Sequence, residues 1–444
     1  MPKLSDIPVY PDPPVVRSST GVTKEYQLSL VTPLFGGGVE AGMPDESLPI
    51  RGTSIRGQLQ FWWRATRGSG FSDQEQLFAR HAKIWGTTDR ASPVGIYIRG
   101  VKASPARACA RYDWNQNARG GNGGWRLVWE TPFASTPLPY ALFSFQGKQP
   151  ASRNEGPEEP PAEFVETASF TLRLQYPEEL SEDIETAVWA WVNFGGLGAR
   201  TRRGCGALLC KEFAPGGVNE LGHWFKSASF NSASDVRAWP TMPSGALVEN
   251  QAQAPIDAWK KAVGLLQAFR QGERVGRNAG QQHNRPGRSR WPEPETIRRA
   301  TGRRSSQHAR LAHVPDDAFP RAEFGLPIVF HFQGQGEPPD TVLYPSSAPH
   351  GEARERMASP LILKPLVLGD GKAVPLIMRL ITPPLTGVDL RQGSNSLNLP
   401  ASTVTRASRL ATYHDSPLAS SSAGSAIEAF FQHARNNGFH EITR

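Results

Sequence analysis

Apolar and polar positions alternate with a period of two in "SFTLRLQY", where Phe170, Leu172, Leu174 and Tyr176 alternate with Thr171, Arg173 and Gln175. The same alternation runs through "PVGIYIRGV", with Val94, Ile96 and Ile98 set against Tyr97 and Arg99. This period places the apolar set on one face of a half-buried strand. "EYQLSLVTPL" reads as an earlier strand ending at Pro33. The period lengthens in "IRGQLQFWWRATR", with Ser54 as the expected N-cap. There Ile55, Leu59 and Trp62 recur at helical spacing, beside a polar stripe of Arg56, Gln60, Arg64 and Arg67. "SEDIETAVWAWVN" predicts a second helix, with acids in its first turn and Ile184, Ala187, Val188, Trp191 and Val192 on one face. The short apolar run "GALLC" closes the series as a strand. The order strand–helix–strand–strand–helix–strand is ferredoxin-like. In it, strands one and four are expected to lie apart, while the loops before the first helix and after the second converge at one end of the sheet. An insertion rich in Pro, Gly and Trp, residues 103–164, separates the middle strands.

The division expected is a flexible arm at 1–22, an N-terminal domain at 23–215, a linker at 216–253 and a C-terminal domain at 254–444. In the last, "IDAWKKAVGLLQAFR" and "GSAIEAFFQHARNNGF" read as helices. "FGLPIVFHFQ", "SPLILKPLVLG" and "VPLIMRLITPP" read as strands whose prolines point to edges or bulges. These elements fit a second ferredoxin-like unit, but its strand order is not legible.

Composition adds a partner class. The 444 residues suit two domains. The formal charge is +8, with 38 arginines against 11 lysines, a bias that suits phosphate because guanidinium makes two-point contacts with it. Three cysteines, Cys109, Cys205 and Cys210, are too few and too odd for a disulfide framework and suit a reducing cytosol. No apolar run approaches 18 residues and no signal-like segment opens the chain. A cytoplasmic protein with no membrane partner is therefore expected.

Candidate chemistry concentrates in "GGLGARTRRGCG", residues 195–206, which packs five glycines and three arginines into twelve positions. It follows a helix and precedes a strand, the reverse of a dinucleotide or P-loop glycine motif. One reading is a loop lying across a polyanion, with Gly195, Gly196 and Gly198 letting its backbone approach and Arg200, Arg202 and Arg203 neutralising phosphates. The other is a helix C-cap with solvated arginines. Arg51, Arg56 and Arg64 would complete a basic cleft from the first helix, with Trp63 a possible stacking group. Between Arg274 and Arg304, nine arginines accompany only Glu293 and Glu295. That pattern reads as a basic loop near 274–310 ordered by a partner, with Arg288 and Arg290 as cations and Trp291 available to stack. No acid–base pair, metal-ligand spacing or nucleotide motif stands out, so no catalytic residue, metal or cofactor is assigned. Asp45 and His81 are the weak catalytic candidates.

"VTPLFGGG", "LPIRGTSIRGQLQFWWRA", "GGLGARTRRGCG" and "RPGRSRWPE" together resemble the first RAMP subunit of the Cmr complex, the type III-B CRISPR RNA-guided effector. The resemblance implies an α+β fold of two tandem ferredoxin-like, RRM-like RAMP domains with long insertions. It implies an RNA-binding, non-catalytic subunit, beside other RAMP subunits, that contacts guide RNA near its 3′ end and target RNA. A RAMP-family endoribonuclease is the alternative. By motif match, the RNA-facing set is Arg51, Arg56, Arg64, Gly195, Gly196, Gly198, Arg200, Arg202 and Arg203, with Arg288, Arg290 and Trp291 carried over more weakly.

Overall fold

The computed structural model describes residues 21–117, 123–135, 137–230, 235–280, 287–306, 308, 318–346, 355–385, 387–393, 395–397, 417–418 and 425–444. Of the expected arm at 1–22, residues 1–20 lie outside this set, as do 281–286, 307 and 309–310 of the basic loop.

The first unit consists of β1 (Gly21–Leu30), α1 (Gly52–Ala65), β2 (Gly95–Ala103), β3 (Ala168–Pro177), α2 (Ser181–Phe194) and β4 (Leu208–Leu209). Its antiparallel sheet runs β2-β3-β1-β4. Strands one and four are therefore neighbours, with Ser29 opposite Leu209 and Leu30 opposite Leu208, which corrects the expectation that they lie apart. Each helical crossover passes over one strand position, so β1 becomes central between β3 and β4. Alternation behaves as the sequence predicts. Tyr26, Leu28, Phe170, Leu172 and Leu174 are buried under α1 and α2, whose Ile55, Leu59, Trp62, Ile184, Val188 and Trp191 complete the core. Trp63 is also core, fully buried, with Nε1 donating to Asp183 Oδ1 at 2.6 Å. Helix α1 starts earlier than Ser54 suggests: Arg51 is its N-cap, and the Ile55 amide already bonds to the Arg51 carbonyl at 3.1 Å.

The second unit repeats the plan with β5 (Gly245–Val248), α3 (Pro255–Gln271), β6 (Leu361–Val367), β7 (Ala373–Arg379), α4 (Ala426–Asn436) and β8 (His440–Thr443). Its order, β6-β7-β5-β8, matches that of the first sheet. The first strand β5 lies inside the stretch 216–253 expected to be a linker, so the second unit begins before residue 254. The four residues "GALV" are too short to show an alternation. Pro365 sits in edge strand β6, opposite Pro375. Strand β7 pairs with β5 at Leu376 and Ile377 and bridges to Gln253 at Ala373, leaving Pro375 between these contacts, where no amide is required. "FGLPIVFHFQ" contributes Ile328–Phe330 to a separate sheet with Thr341–Pro345, Val388–Gln392 and Asn395–Leu397.

The insertion 103–164 contains a hairpin, Ala110–Asn115 with Gly124–Trp129. Its Phe133, Leu138, Phe145 and Phe164 share a core with Phe35, Cys205 of the glycine loop, and Trp259 and Val263 of α3. The insertion thus packs against both units. Among the described residues no helix is long and apolar enough to cross a membrane.

Candidate nucleic-acid interface

The glycine loop is folded on the protein itself. At Gly195, the C-cap of α2, a Cβ would stand 2.4 Å from Trp62 Nε1, which is how closely α1 and α2 pack there. A Cβ on Gly196 would meet the Gly206 carbonyl at 2.6 Å, and one on Gly198 (φ +75°) the Phe35 carbonyl at 2.3 Å. Gly204 (φ +89°) abuts the Trp259 ring. At Gly206 (φ +62°) a Cβ would lie 1.9 Å from the Leu197 carbonyl. Backbone bonds close the arrangement: Leu197 to Gly206 at 2.9 Å, Ala199 to Phe35 at 2.7 Å and Gly206 to Pro33 at 2.8 Å. Thr32 Oγ1 donates to the Gly204 carbonyl and accepts from the Ala207 amide. The space expected to admit an RNA backbone at Gly195 and Gly196 is filled by the chain's own main chain and rings. Of the three predicted glycines, only Gly198 is exposed.

The arginines of the loop reach across to the second unit. Arg202 donates to the Ser359 carbonyl and lies over the Phe61 ring at 5.3 Å. Arg203 donates to the Leu361 carbonyl at 2.9 Å and to Ser359 Oγ at 3.0 Å, and burial pushes its pKa down to about 10. Its own carbonyl accepts from Trp259 Nε1. Arg200, in the left-handed region at φ 55°, donates to Ser144 Oγ of the insertion at 2.9 Å. Charge drawn as phosphate-binding in the sequence is here committed to carbonyls, because an always-charged guanidinium at an interface must find acceptors.

Lys364 of β6, which the sequence did not single out, completes the joint. Its Nζ donates to the Gly195 carbonyl at 2.7 Å from a position only 1 % exposed. Burial pushes its pKa down to about 7. An unfolded lysine keeps its proton to about pH 10.4. Between about pH 7 and 10 the unfolded state therefore binds more protons, and stability from this site rises with pH across that window. The unfolding free energy of wild type minus that of Lys364→Met, from urea melts, is expected to climb from pH 7 to pH 10. A difference that stays flat would contradict a buried, titrating amine.

The C-terminal half of α1 meets the glycine loop through Phe61 and Trp62. Arg51 and Arg56 belong to its other end, ten residues or about 15 Å along the helix from Phe61 in the case of Arg51. Arg56 donates to the carbonyls of Trp85 and Val94, at 3.4 and 2.9 Å, tying α1 to the start of β2. Arg64 pairs with His81 Nε2 at 3.3 Å, and burial and that guanidinium hold the His81 pKa below the usual histidine range.

The described parts of the basic stretch, 274–280 and 287–306, are packed, unlike the loop ordered only by a partner that the sequence suggests. Trp291 is 3 % exposed, donates from Nε1 to the Arg270 carbonyl at 2.9 Å and meets Phe269 edge-on, so it is not presented to a base. Glu293–Thr301 is a helix whose two acids are buried. Glu295 faces Arg288 at 3.1 Å, Arg304 at 2.6 Å and Arg299 at 3.5 Å, and Glu293 faces Arg321 at 3.1 Å. Arg298 pairs with buried Glu337 at 2.8 Å, and Arg290 donates to the carbonyls of Arg274 and Val275.

Asp45 is half-buried and caps a turn. It accepts from the Leu48 and Ser47 amides and the Ser47 hydroxyl, and these bonds hold its pKa below the usual carboxylate range. Among the described residues no cluster of three His, Cys, Asp or Glu could hold a metal ion.

A family model of the RAMP superfamily matches residues 27–209, from β1 to β4. The matched segment includes the helix signature and the glycine loop, while "RPGRSRWPE" lies outside it. The chain is 28% identical over 189 residues to the CRISPR system Cmr subunit Cmr1-2 of Pyrococcus furiosus, covering 41% of this chain and 92% of that protein. It is 24% identical over 192 residues to Cmr1-1 of the same organism, covering 42% and 47%. Among solved structures it is similar to Cmr1 from Pyrococcus furiosus in the apo form, at 17% identity, 82% and 89% coverage and a TM-score of 0.44. It is also similar to a chain of type III-B Cmr-beta bound to cognate target RNA, at 12% identity, 81% and 94% coverage and a TM-score of 0.44. The tandem ferredoxin-like architecture implied by the resemblance is the fold observed.

Proposed function

We propose that the chain is a non-catalytic RNA-binding subunit of a type III-B CRISPR Cmr effector, contacting guide RNA near its 3′ end and target RNA beside other RAMP subunits. The observation that carries this reading is the match to Cmr1-2 across 92% of that subunit, laid on the RAMP domain. The net charge of +8 supports a polyanionic partner. Within the family-matched set, Arg51 at the start of α1 and the exposed Gly198 backbone are the groups retained as RNA-facing. Gly195, Gly196, Arg202 and Arg203 act indirectly in this reading, by fixing the loop against the second unit. Arg288 and Arg290 serve the packing around Glu295 and the 274–275 turn, and Trp291 the core. Cleavage needs a positioned base and acid. Asp45 in its turn and His81 against Arg64 are each engaged in local structure.

Incubating the purified chain with labelled single-stranded RNA in EDTA and in Mg²⁺ tests this. The expected result is retention of intact RNA in both. RNA cut by the wild type and spared by Asp45→Ala or His81→Ala would make the chain an endoribonuclease.

A further inference from the structure

The face of the first sheet turned away from α1 and α2 carries side chains that the fold leaves in solvent. Tyr97 of β2 is 47% exposed and stands opposite Arg173 of β3. In the next row Arg99 is opposite Thr171, about 7 Å along the strand from Tyr97. A bulge then shifts the register between Arg99 and Lys102, with Gly100 at φ +59° supplying the left-handed turn. Beyond it, Lys102 lies opposite Ser169, and together with Ser29 they line a cleft of about 490 Å³ at the end of the sheet. Arg173 Nε is buried against the sheet without a hydrogen-bond partner, its nearest carboxylate being Glu25 at 3.9 Å.

We infer that this open sheet face is a binding surface for single-stranded RNA, with Tyr97 stacking on a base and Arg99, Arg173 and Lys102 tracking the phosphates into the cleft. This rests on the RNA-binding reading above and assigns it residues that the glycine-loop motif does not contain. Three cations in successive rows around one exposed ring match a flexible polyanion whose bases have π faces. A docking site for another protein would place apolar, charge-depleted side chains at its centre. Here the two inner strands present Arg173, Thr171 and Ser169 from β3 and Glu25, Gln27 and Ser29 from β1, none of them apolar.

The test measures RNA affinity against salt for wild type, Tyr97→Ala, Tyr97→Phe and Arg99→Ala/Lys102→Ala, all at exposed or half-buried positions. Circular dichroism and melting confirm the fold. Tyr97→Ala is expected to weaken binding about tenfold with the salt slope kept, as loss of one stacked base implies. Tyr97→Phe is expected to bind as wild type. The double variant is expected to flatten the slope by about 1.4 units, two contacts at about 0.7 each. Wild type that binds no RNA would remove the functional reading itself. If wild type binds and all variants bind equally well with unchanged slope, this inference alone falls. Variants that bind RNA normally but are no longer retained by the other Cmr subunits would make the face a protein interface and overturn it.

Discussion

Gly206→Val is expected to destabilise the chain by at least about 3 kcal/mol and to lower its melting temperature by several degrees. Two independent terms add. The backbone at Gly206 has φ +62°, which a β-branched residue adopts only under strain. The added Cβ would also stand 1.9 Å from the carbonyl of Leu197, a residue held in place by its own amide, which donates to the Gly206 carbonyl at 2.9 Å. Neither can relax without moving the loop away from Pro33 and α3. Gly57→Ala supplies the control. Gly57 lies in α1 with nothing near its would-be Cβ, so alanine there is expected to raise stability by about 0.5–1 kcal/mol. A Gly206→Val protein that melts like wild type would show that the loop is not the joint described.

Glu295→Leu is expected to cost about 3 kcal/mol and to open the 287–306 segment to protease. Glu295 is 2% exposed and faces three guanidiniums. Replacing it removes the negative charge around which they converge, while the positive charges remain partly buried. Limited trypsin digestion is the direct readout, because the segment is rich in arginine. Cleavage there is expected to be slow in wild type without RNA and fast in the variant. Equal rates in the two would return the segment to a loop that only a partner orders.

The first unit was legible because its strands alternate cleanly and its helices show an apolar face. "SFTLRLQY" became β3 with the predicted side buried, and "SEDIETAVWAWVN" became α2 with its predicted start. The second unit was not legible as a fold because β5 is four residues long and long insertions separate α3 from β6 and β7 from α4. The site was read less well, for one physical reason. A sequence counts charges but does not say where they are compensated. Arg202 and Arg203 read as free cations, yet their acceptors are carbonyls more than 150 positions away at Ser359 and Leu361. Glu293 and Glu295 read as a minority among nine arginines, although burial lets Glu295 serve three of them. The glycines announced close approach correctly, but what approaches is protein. The alternation that set Tyr97 and Arg99 apart from Ile96 and Ile98 held the signal for the open sheet face.

The proposed function requires that this chain touch RNA inside a Cmr effector. Its most direct test is ultraviolet crosslinking of the assembled complex carrying labelled guide and target RNA, followed by mass-spectrometric mapping of RNA-bound peptides. Crosslinked peptides from this chain are expected, among them the one containing Tyr97. A complex that holds both RNAs and crosslinks them to its other subunits, with no RNA-bound peptide from this chain, would contradict it.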